Sequence, residues 1–271
     1  SIAFIAEDKI HIENSQIDLK TAGTMEQAGD GGAVSIIARE IMLDNNSINT
    51  STSGSGSGGT VSFEADHNVY VRDGSIATTT SGSGDGGLLE ITAGKDILIT
   101  HGAQIDTQAK GAGSSGNIHL QAGRVVLTED SQFNTTNGGD FRVEAKDVFI
   151  VGTRLEAPSS RSGSSISLHA DNTVLIDRSN LYARGDGDSG DQPGKLSIQA
   201  ADIRLTNSSS LYTATHVPFK AGSIYLMADE QVVLDFESVI LASVFEPEGK
   251  GVGNGGRIMM IQTPDNRISA K

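Results

Sequence analysis

A short alternating phrase recurs along the chain: an apolar residue, any residue, an apolar residue, any residue and then alanine. Residues 61–65 (VSFEA), 89–93 (LEITA) and 196–200 (LSIQA) are good copies, and a tenth copy at 258–262 lacks the alanine. The steps between copies average about 28 residues, and a nearly fixed period of this kind is typical of repeat architectures. The nine alanines are Ala6, Ala38, Ala65, Ala93, Ala122, Ala145, Ala170, Ala200 and Ala228.

Each repeat contains three strand-like pieces separated by polar bends. After the alanine phrase comes a second alternating pair, such as Val69 and Val71, and then a bend rich in Asn, Asp, Gly or Ser. The third piece starts with an apolar residue and continues in Thr or Ala, as in residues 76–78 (IAT). Several repeats close with a Gly/Ser-rich turn such as 53–59. Short alternating runs with this punctuation predict strands and turns.

A repeat of this kind cannot bury its apolar face alone, so the repeats are expected to stack coil on coil. The sequence therefore predicts an all-β chain, residues 1–271, that forms a single parallel β-helix (solenoid) domain. It would have about nine to ten coils with three short strands per coil, and a length of about 45 Å. Alternation predicts an inward column that consists of Ile36, Phe63, Ile91, Leu120, Val143, Leu168, Ile198 and Leu226. A second inward column, in which we expect a ladder of hydroxyl groups, consists of Thr50, Thr78, Thr107, Thr135 and Thr213.

Composition and charge narrow the classes of function. The chain has 33 glycines and 37% hydrophobic residues, which suits a fold with a narrow core and many turns. It has no cysteine, which excludes thiol catalysis, cysteine-ligated zinc and disulfides. Its net charge of −14 disfavours nucleic acid and anionic membranes as partners. The first residues already have a strand pattern, so we expect a fragment of a longer repeat protein.

The repeats resemble a known family. The pattern consists of Gly-Gly-x-[IVL]-x-[IVL]-x-Ala, a second strand, Asn/Gly-Ser-x-Ile-x-Thr and a Gly/Ser turn. It is similar to filamentous haemagglutinin-type exoproteins of two-partner secretion, above all the repeat-rich cyanobacterial members. Residues 58–65 with 74–78 and residues 86–93 with 103–107 are the best instances. The resemblance covers essentially the whole chain. It implies a right-handed β-helix from a Gram-negative bacterium that works as a secreted or cell-surface adhesin in the extracellular space. The family's amino-terminal secretion domain is missing here, so the outer-membrane secretion partner would act through a region absent from this sequence.

The densest acidic run follows the third piece of one repeat, at residues 184–191. In it Asp186, Asp188 and Asp191 alternate with small residues, as carboxylate ligands of Ca²⁺ do. The run lacks the bidentate Glu and the spacing of an EF-hand, so a solvated turn is the alternative. It also contains Arg184-Gly185-Asp186, a tripeptide of the kind that integrin-type receptors bind, for which a chance match is the alternative.

Two other sets of side chains are candidates for binding. Tyr182 and Tyr212 occupy the same outward position in successive coils, where they would form either a platform for a sugar or a mutually packed pair. Outward charged residues occur at Glu64, Glu90, Arg142 and Glu144, and a solvated face is their simplest interpretation. The six histidines show no metal-binding spacing, and no nucleophile–base–acid set is evident. The sequence therefore predicts a chain with no catalytic residues and no cofactor apart from the Ca²⁺ alternative.

Apolar residues stand at outward positions near both ends of the chain. Local irregularity or capping is one interpretation, and packing against further protein is the other. These residues are Ile5, Ile37, Tyr225, Met227, Met259 and Ile261.

The sequence leaves three functions open. The first is a non-catalytic structural and adhesive shaft of an exoprotein, whose polar loops would bind a surface glycan or a receptor. The second is a β-helix that binds or cleaves carbohydrate, which a groove lined by three or more acids and a basic residue would favour. The third is a subunit of an extracellular filament that self-associates through the solenoid ends.

Overall fold

The structure is a computed structural model, and it describes residues 1–23, 29–135, 138–159, 163–185, 193–216, 222–245, 256–262 and 269–270. Within these residues every regular element is a β-strand, and the strands pair in parallel. The predicted all-β parallel β-helix is therefore confirmed. The strands are β1 (Ile2–Ile5), β2 (Lys9–Glu13), β3 (Gln16–Asp18), β4 (Ala33–Asp44), β5 (Ser47–Asn49), β6 (Thr60–Arg72), β7 (Ser75–Ala77), β8 (Leu88–Ala93), β9 (Asp96–Thr100), β10 (Gln104–Asp106), β11 (Ile118–Gln121), β12 (Arg124–Thr128), β13 (Gln132–Asn134), β14 (Asp140–Val151), β15 (Arg154–Ser159), β16 (Ser165–Asp177), β17 (Asn180–Gly185), β18 (Lys195–Thr206), β19 (Ser210–His216), β20 (Ser223–Leu234), β21 (Val239–Phe245), β22 (Arg257–Gln262) and β23 (Ser269–Ala270).

The strands form columns along the rod, one member per coil. The first strands pair in the order β1-β4-β6-β8-β11-β14-β16-β18-β20-β22. The third strands form a separate sheet in the order β3-β5-β7-β10-β13-β15-β17-β19-β21. Eight successive pairings join these third strands in the described part of the chain, which gives about eight turns. This is slightly fewer than the nine to ten coils predicted.

The first and second strand pieces are often continuous, which differs from the three short strands expected in each coil. In β4, β6, β14, β16, β18 and β20 one long strand carries both pieces, whereas β2, β9 and β12 are separate second strands. The register of pairing shifts just after the alanine, for example between Ala38 and Glu40 and between Ala145 and Asp147. A β-bulge lets a strand bend without ending, and the small alanine, which is buried or half-buried in most coils, lies beside that bend.

The core runs without a break along the rod. Val61, Phe63 and Ile91 are at most 1% exposed, while Glu64 and Glu90 on the same strands point to solvent. All eight residues of the predicted inward column are buried to the same degree, which confirms the assignment of faces. Each coil therefore hides the apolar surface of its neighbours, as a solenoid requires.

The Gly/Ser-rich turns form closed loops that stack on each other. The N–H of Gly59 donates to the carbonyl of Thr50 at 2.8 Å, and Gly87 and Gly116 make the same bond to Thr78 and Thr107 at 2.6 and 2.9 Å. Single parallel bridges, such as that between Thr52 and Thr80, connect one loop to the next. A Cβ on Gly87 or Gly116 would overlap backbone atoms of the loop in the preceding coil, so these positions require glycine.

The five threonines of the predicted hydroxyl column are fully buried, but their hydroxyls do not bond to one another. The Thr107 hydroxyl donates to the carbonyl of Gly116 at 2.9 Å. Within the described part of the chain the hydroxyls of Thr50, Thr78 and Thr213 have no hydrogen-bond partner. The expectation of a hydroxyl ladder was wrong, because the glycines of the stacked loops pack against the threonines.

Replacement of two of these threonines by the isosteric valine is expected to have opposite effects. Thr78→Val removes a buried, unpaired hydroxyl and should raise the free energy of unfolding by about 1 kcal/mol. Thr107→Val removes a hydrogen bond to Gly116 and should lower the free energy of unfolding by about 1 kcal/mol. Urea denaturation of both variants beside the parent chain measures the difference, and a loss of stability in both would contradict the account.

Candidate functional site

Tyr182 and Tyr212 stack on one another in adjacent third strands. They are partners in the register of β17 with β19, and their ring centroids lie 4.8 Å apart with an angle of 18° between the planes. Along the same column Glu156 is the neighbour of Tyr182, and Leu241 is the neighbour of Tyr212. Each ring face therefore lies toward another side chain, an arrangement that favours mutual packing over a platform for a sugar ring.

The polar residues around the tyrosine pair bond to each other. Arg154 donates from Nε to the carboxylate of Glu156 at 2.6 Å, and Ser210 donates to Oδ1 of Asn180 at 2.5 Å. With the two rings these residues line a shallow depression of about 400 Å³. Their mutual hydrogen bonds leave this depression poorly prepared for a ligand.

Asp106 lies further along the outward column that carries the two tyrosines, between Ala77 and Asn134. Burial raises the pKa of its carboxyl group above the ordinary value, although Oδ1 accepts a hydrogen bond from the backbone N–H of Gln108 at 2.9 Å. Because the pKa of Asp106 is higher in the folded state than in the unfolded state, Asp106 contributes stability at pH values below its pKa in the unfolded state. This contribution is lost as the pH rises through its pKa in the folded state.

Asp106→Asn is expected to raise the melting temperature at neutral pH. The amide keeps an acceptor for the Gln108 N–H and carries no charge that burial would penalise. The gain should vanish below about pH 3, where the carboxyl group is protonated in both states. Thermal unfolding followed by circular dichroism across this pH range measures it.

Asp18→Asn is the matched control in the same column. The side chain of Lys20 hydrogen-bonds Asp18 and lowers the pKa of its carboxyl group, so Asp18 contributes stability above its ordinary pKa that is lost as the pH falls. This variant should therefore lower the melting temperature at neutral pH. A change of the same sign in both variants would contradict the assigned cause.

The calcium and receptor candidates fall mostly outside the described residues. Arg184 and Gly185 end β17, while Asp186, Asp188 and Asp191 lie beyond the part of the chain that the structure describes. Both predictions therefore stay predictions. Among the described residues, no group of three or more His, Asp or Glu side chains is placed to hold a metal ion.

An open groove of about 630 Å³ follows the bend between the first and second strands. Its floor is a column of outward residues that are partners in register from β6 to β16. Two acids of this column and two acids of the bend line the groove, together with two basic residues. The column is Glu64, Thr92, Gln121, Glu144 and His169, and the bend adds Asp66, Lys146 and Asp171. The groove therefore meets the condition that favours a carbohydrate ligand.

Beside the groove, His119 lies between two glutamates. Its Nδ1 is 3.8 Å from a carboxylate oxygen of Glu90, and its Nε2 is 4.0 Å from one of Glu144. Arg142 forms an ion pair with Glu144 and donates to it from Nε at 2.7 Å. These contacts place Glu90, His119, Arg142 and Glu144 in one charged patch. The sequence pattern favoured a solvated face for the three charged residues and did not single out His119.

Two groove carboxylates that share a column, Glu64 and Glu144, are far apart along the rod. Glu64 and Glu144 are three coils apart, about 14 Å along the rod. Paired carboxylates of glycosidases lie about 5–9.5 Å apart. This pair is therefore too widely spaced for that chemistry.

Comparisons with known proteins give no relative from which a function could be inferred. No protein-family model, no curated protein and no solved structure matches the chain. Among the described residues no helix has the length and apolar character needed to cross a membrane.

Proposed function

We propose that this chain is a non-catalytic shaft of an adhesin-like exoprotein, which holds polar loops away from its attachment point. The observation that carries the proposal is the unbroken core and strand pairing from β1 to β22. Strands paired on both sides and fully buried inward side chains resist bending, which is what a spacer needs.

The surface of the rod supports the same function. Ion pairs link successive coils, as in Lys9 with Glu40 at 3.1 Å and Arg124 with Asp96 at 2.8 Å. The net charge of −14 keeps such a rod soluble and away from anionic surfaces. A stiff, acidic and polar rod fits a protein that projects from a cell.

The location forms part of the proposal and depends on the family resemblance. The shaft would be extracellular or on the surface of a Gram-negative bacterium, exported by an outer-membrane partner through a secretion domain outside this sequence. The parent open reading frame tests the export route, because it should encode such a domain upstream. Antibodies against this chain should label intact cells, and labelling only after lysis would contradict the proposal.

Electron microscopy of the purified chain tests the shaft itself. The particles should be straight rods about 45 Å long. Bent particles of variable shape would contradict a spacer function.

A carbohydrate-binding function is the second candidate, and the acidic groove is the observation that favours it. Its carboxylates suit a neutral or amine-bearing glycan, which accepts and donates hydrogen bonds without adding negative charge. Titration calorimetry with chitosan and neutral oligosaccharides tests it. Glu144→Gln should weaken binding at least about tenfold, whereas Glu156→Gln on the tyrosine face should not. Equal effects of the two variants, or no binding, would remove this candidate.

A further inference from the structure

An apolar stripe runs along the outward side of the second strands. It occupies six consecutive coils, and each member is the register partner of the next. The residues on either side of each member along its strand point inward and are almost all fully buried, so the stripe lies on the outer face. Its members, all half-buried against each other, are Met42, Tyr70, Leu98, Val126, Phe149 and Leu175.

The stripe contrasts with the other outward columns of the same coils. The middle coils of the first-strand face carry polar residues such as Glu64 and Gln121, and the third-strand face carries Asn49 and Asp106 at the corresponding level. On the second-strand face, the columns that flank the stripe are mostly polar or charged, although one of them contains Val151. An apolar strip with a polar rim is the usual form of a protein–protein interface.

The stripe is symmetric about its midpoint, between Leu98 and Val126. Tyr70 and Phe149 stand one coil beyond that pair on either side. Met42 and Leu175 form the outer members, and His11 and Arg204 occupy the next coils on either side, with Val233 beyond Arg204. Consider a second copy of the chain that is related to the first by a 180° rotation about an axis perpendicular to the rod at this midpoint. Each of the six apolar residues of the stripe then lies opposite an apolar residue of the other copy.

The charges beside the stripe follow the same symmetry. Asp96 and Arg124 are register partners at the midpoint, so this rotation places Asp96 of one chain opposite Arg124 of the other, twice. It also places Lys9 opposite Asp202, and each of these is already paired within its own chain, Lys9 with Glu40 and Asp202 with Arg204.

One pair of like charges also meets under this operation, Asp44 opposite Asp177. Each is already compensated within its own chain. Arg72 donates to Asp44 at 2.5 Å and lowers the pKa of its carboxyl group, and Arg178 donates to Asp177 at 3.0 Å. These arginines reduce the repulsion that the two carboxylates would otherwise cause.

The area of the face suits a dimer. Eight coils spaced about 4.8 Å apart and three columns about 6.6 Å apart make a flat surface of about 750 Å². Stable interfaces of standard size bury about 800 Å² on each partner. The stripe and its rim are therefore large enough to hold a second copy of the chain.

We propose that two copies of this chain pack side by side, antiparallel, through the second-strand faces, with Leu98 and Val126 at the centre. The pairing is lateral, so it is separate from an end-to-end association of solenoid ends, and it does not depend on the proposed shaft function.

Sedimentation velocity of the purified chain at about 100 µM tests the association and should show a dimer. Leu98→Glu should weaken dimerisation at least about tenfold. Leu88→Glu is the control, because Leu88 is an exposed leucine on the first-strand face. A parent chain that stays monomeric, or equal effects of the two variants, would overturn the proposal. Circular dichroism of each variant checks that the fold is retained.

Charge-reversal variants distinguish an ion pair between two chains from an ion pair within one chain. Asp96→Arg and Arg124→Asp each also break the ion pair between Asp96 and Arg124 inside one chain. Each variant alone should be monomeric. A mixture of the two should form heterodimers, because each reversed position then faces an opposite charge on the other chain. A mixture that stays monomeric would overturn the proposed pairing.

A spin label tests the orientation, and the absence of native cysteine makes single labelling simple. In the antiparallel pair, labels on Thr206→Cys would lie seven coils apart, a separation of about 35 Å. In a parallel pair they would lie at the same coil, within about 20 Å. The shorter distance would overturn the antiparallel arrangement.

Discussion

Gly116→Ala is expected to lower the free energy of unfolding by about 3 kcal/mol. The new methyl group would overlap the backbone of Gly86 and Gly87 in the preceding coil, which leaves it no space. A shift of Gly116 would also strain two bonds at the base of its loop, since its N–H donates to the Thr107 carbonyl and its carbonyl accepts from the Thr107 hydroxyl. Chemical denaturation measures the loss.

Ser114→Ala is the matched control for this glycine. Ser114 is exposed in the same loop, and its contacts to neighbouring coils use backbone atoms: its N–H donates to Asp85 at 2.8 Å and its carbonyl accepts from Gly86 at 2.7 Å. The alanine variant should stay within about 0.5 kcal/mol of the parent chain. If Gly116→Ala were as stable as this control, the close stacking of the loops would be refuted.

Phe133→Ala is expected to cost about 3–5 kcal/mol, the other large effect. Phe133 is 1% exposed, and its ring packs edge to face against that of Phe141 in the next coil, with centroids 5.3 Å apart and an angle of 76°. Truncation leaves a cavity between two coils that the paired backbones cannot close. Because coils contact only their neighbours, hydrogen exchange should show the loss first in β13 and β14.

Phe133→Leu provides the comparison for this cavity. Leucine fills most of the space, as it does at the equivalent position Leu155 in the next coil, so the cost should stay below about 1.5 kcal/mol. Similar losses for alanine and leucine would show that the cavity is not the cause.

The inward face of the fold could be predicted from the sequence because it is set by strand alternation alone. Phe63, Ile91 and Leu120 alternate with polar residues, and parallel stacking then aligns them without further information. The bend after each alanine was harder to predict. In β6 and β14 a β-bulge lets the strand continue through this bend. A bulge adds only one residue to the strand, so the spacing of apolar residues does not distinguish a bulged strand from two separate strands.

The groove and the apolar stripe on the outer surface depend on the register between successive coils. The sequence of one repeat alone does not reveal that register. Lys146 and Asp171 reach the groove only because the bends of successive coils stack. The apolar stripe has a sequence signal, the apolar residue between each inward pair, as Tyr70 lies between Val69 and Val71. A single such residue is ordinary on a surface, and only six aligned copies form an interface.

The register between coils also determines how the rod can gain or lose length by duplication or deletion of sequence. Gly59 and Gly87 hold the same place in successive coils, and the N–H of Leu88 already donates to the carbonyl of Gly59 at 3.1 Å. Residues 60–87 therefore form a unit that a deletion or duplication would remove or add whole, with every side-chain column still aligned. The reach of the rod is adjustable in steps of about 4.8 Å by recombination between repeats, without a new fold.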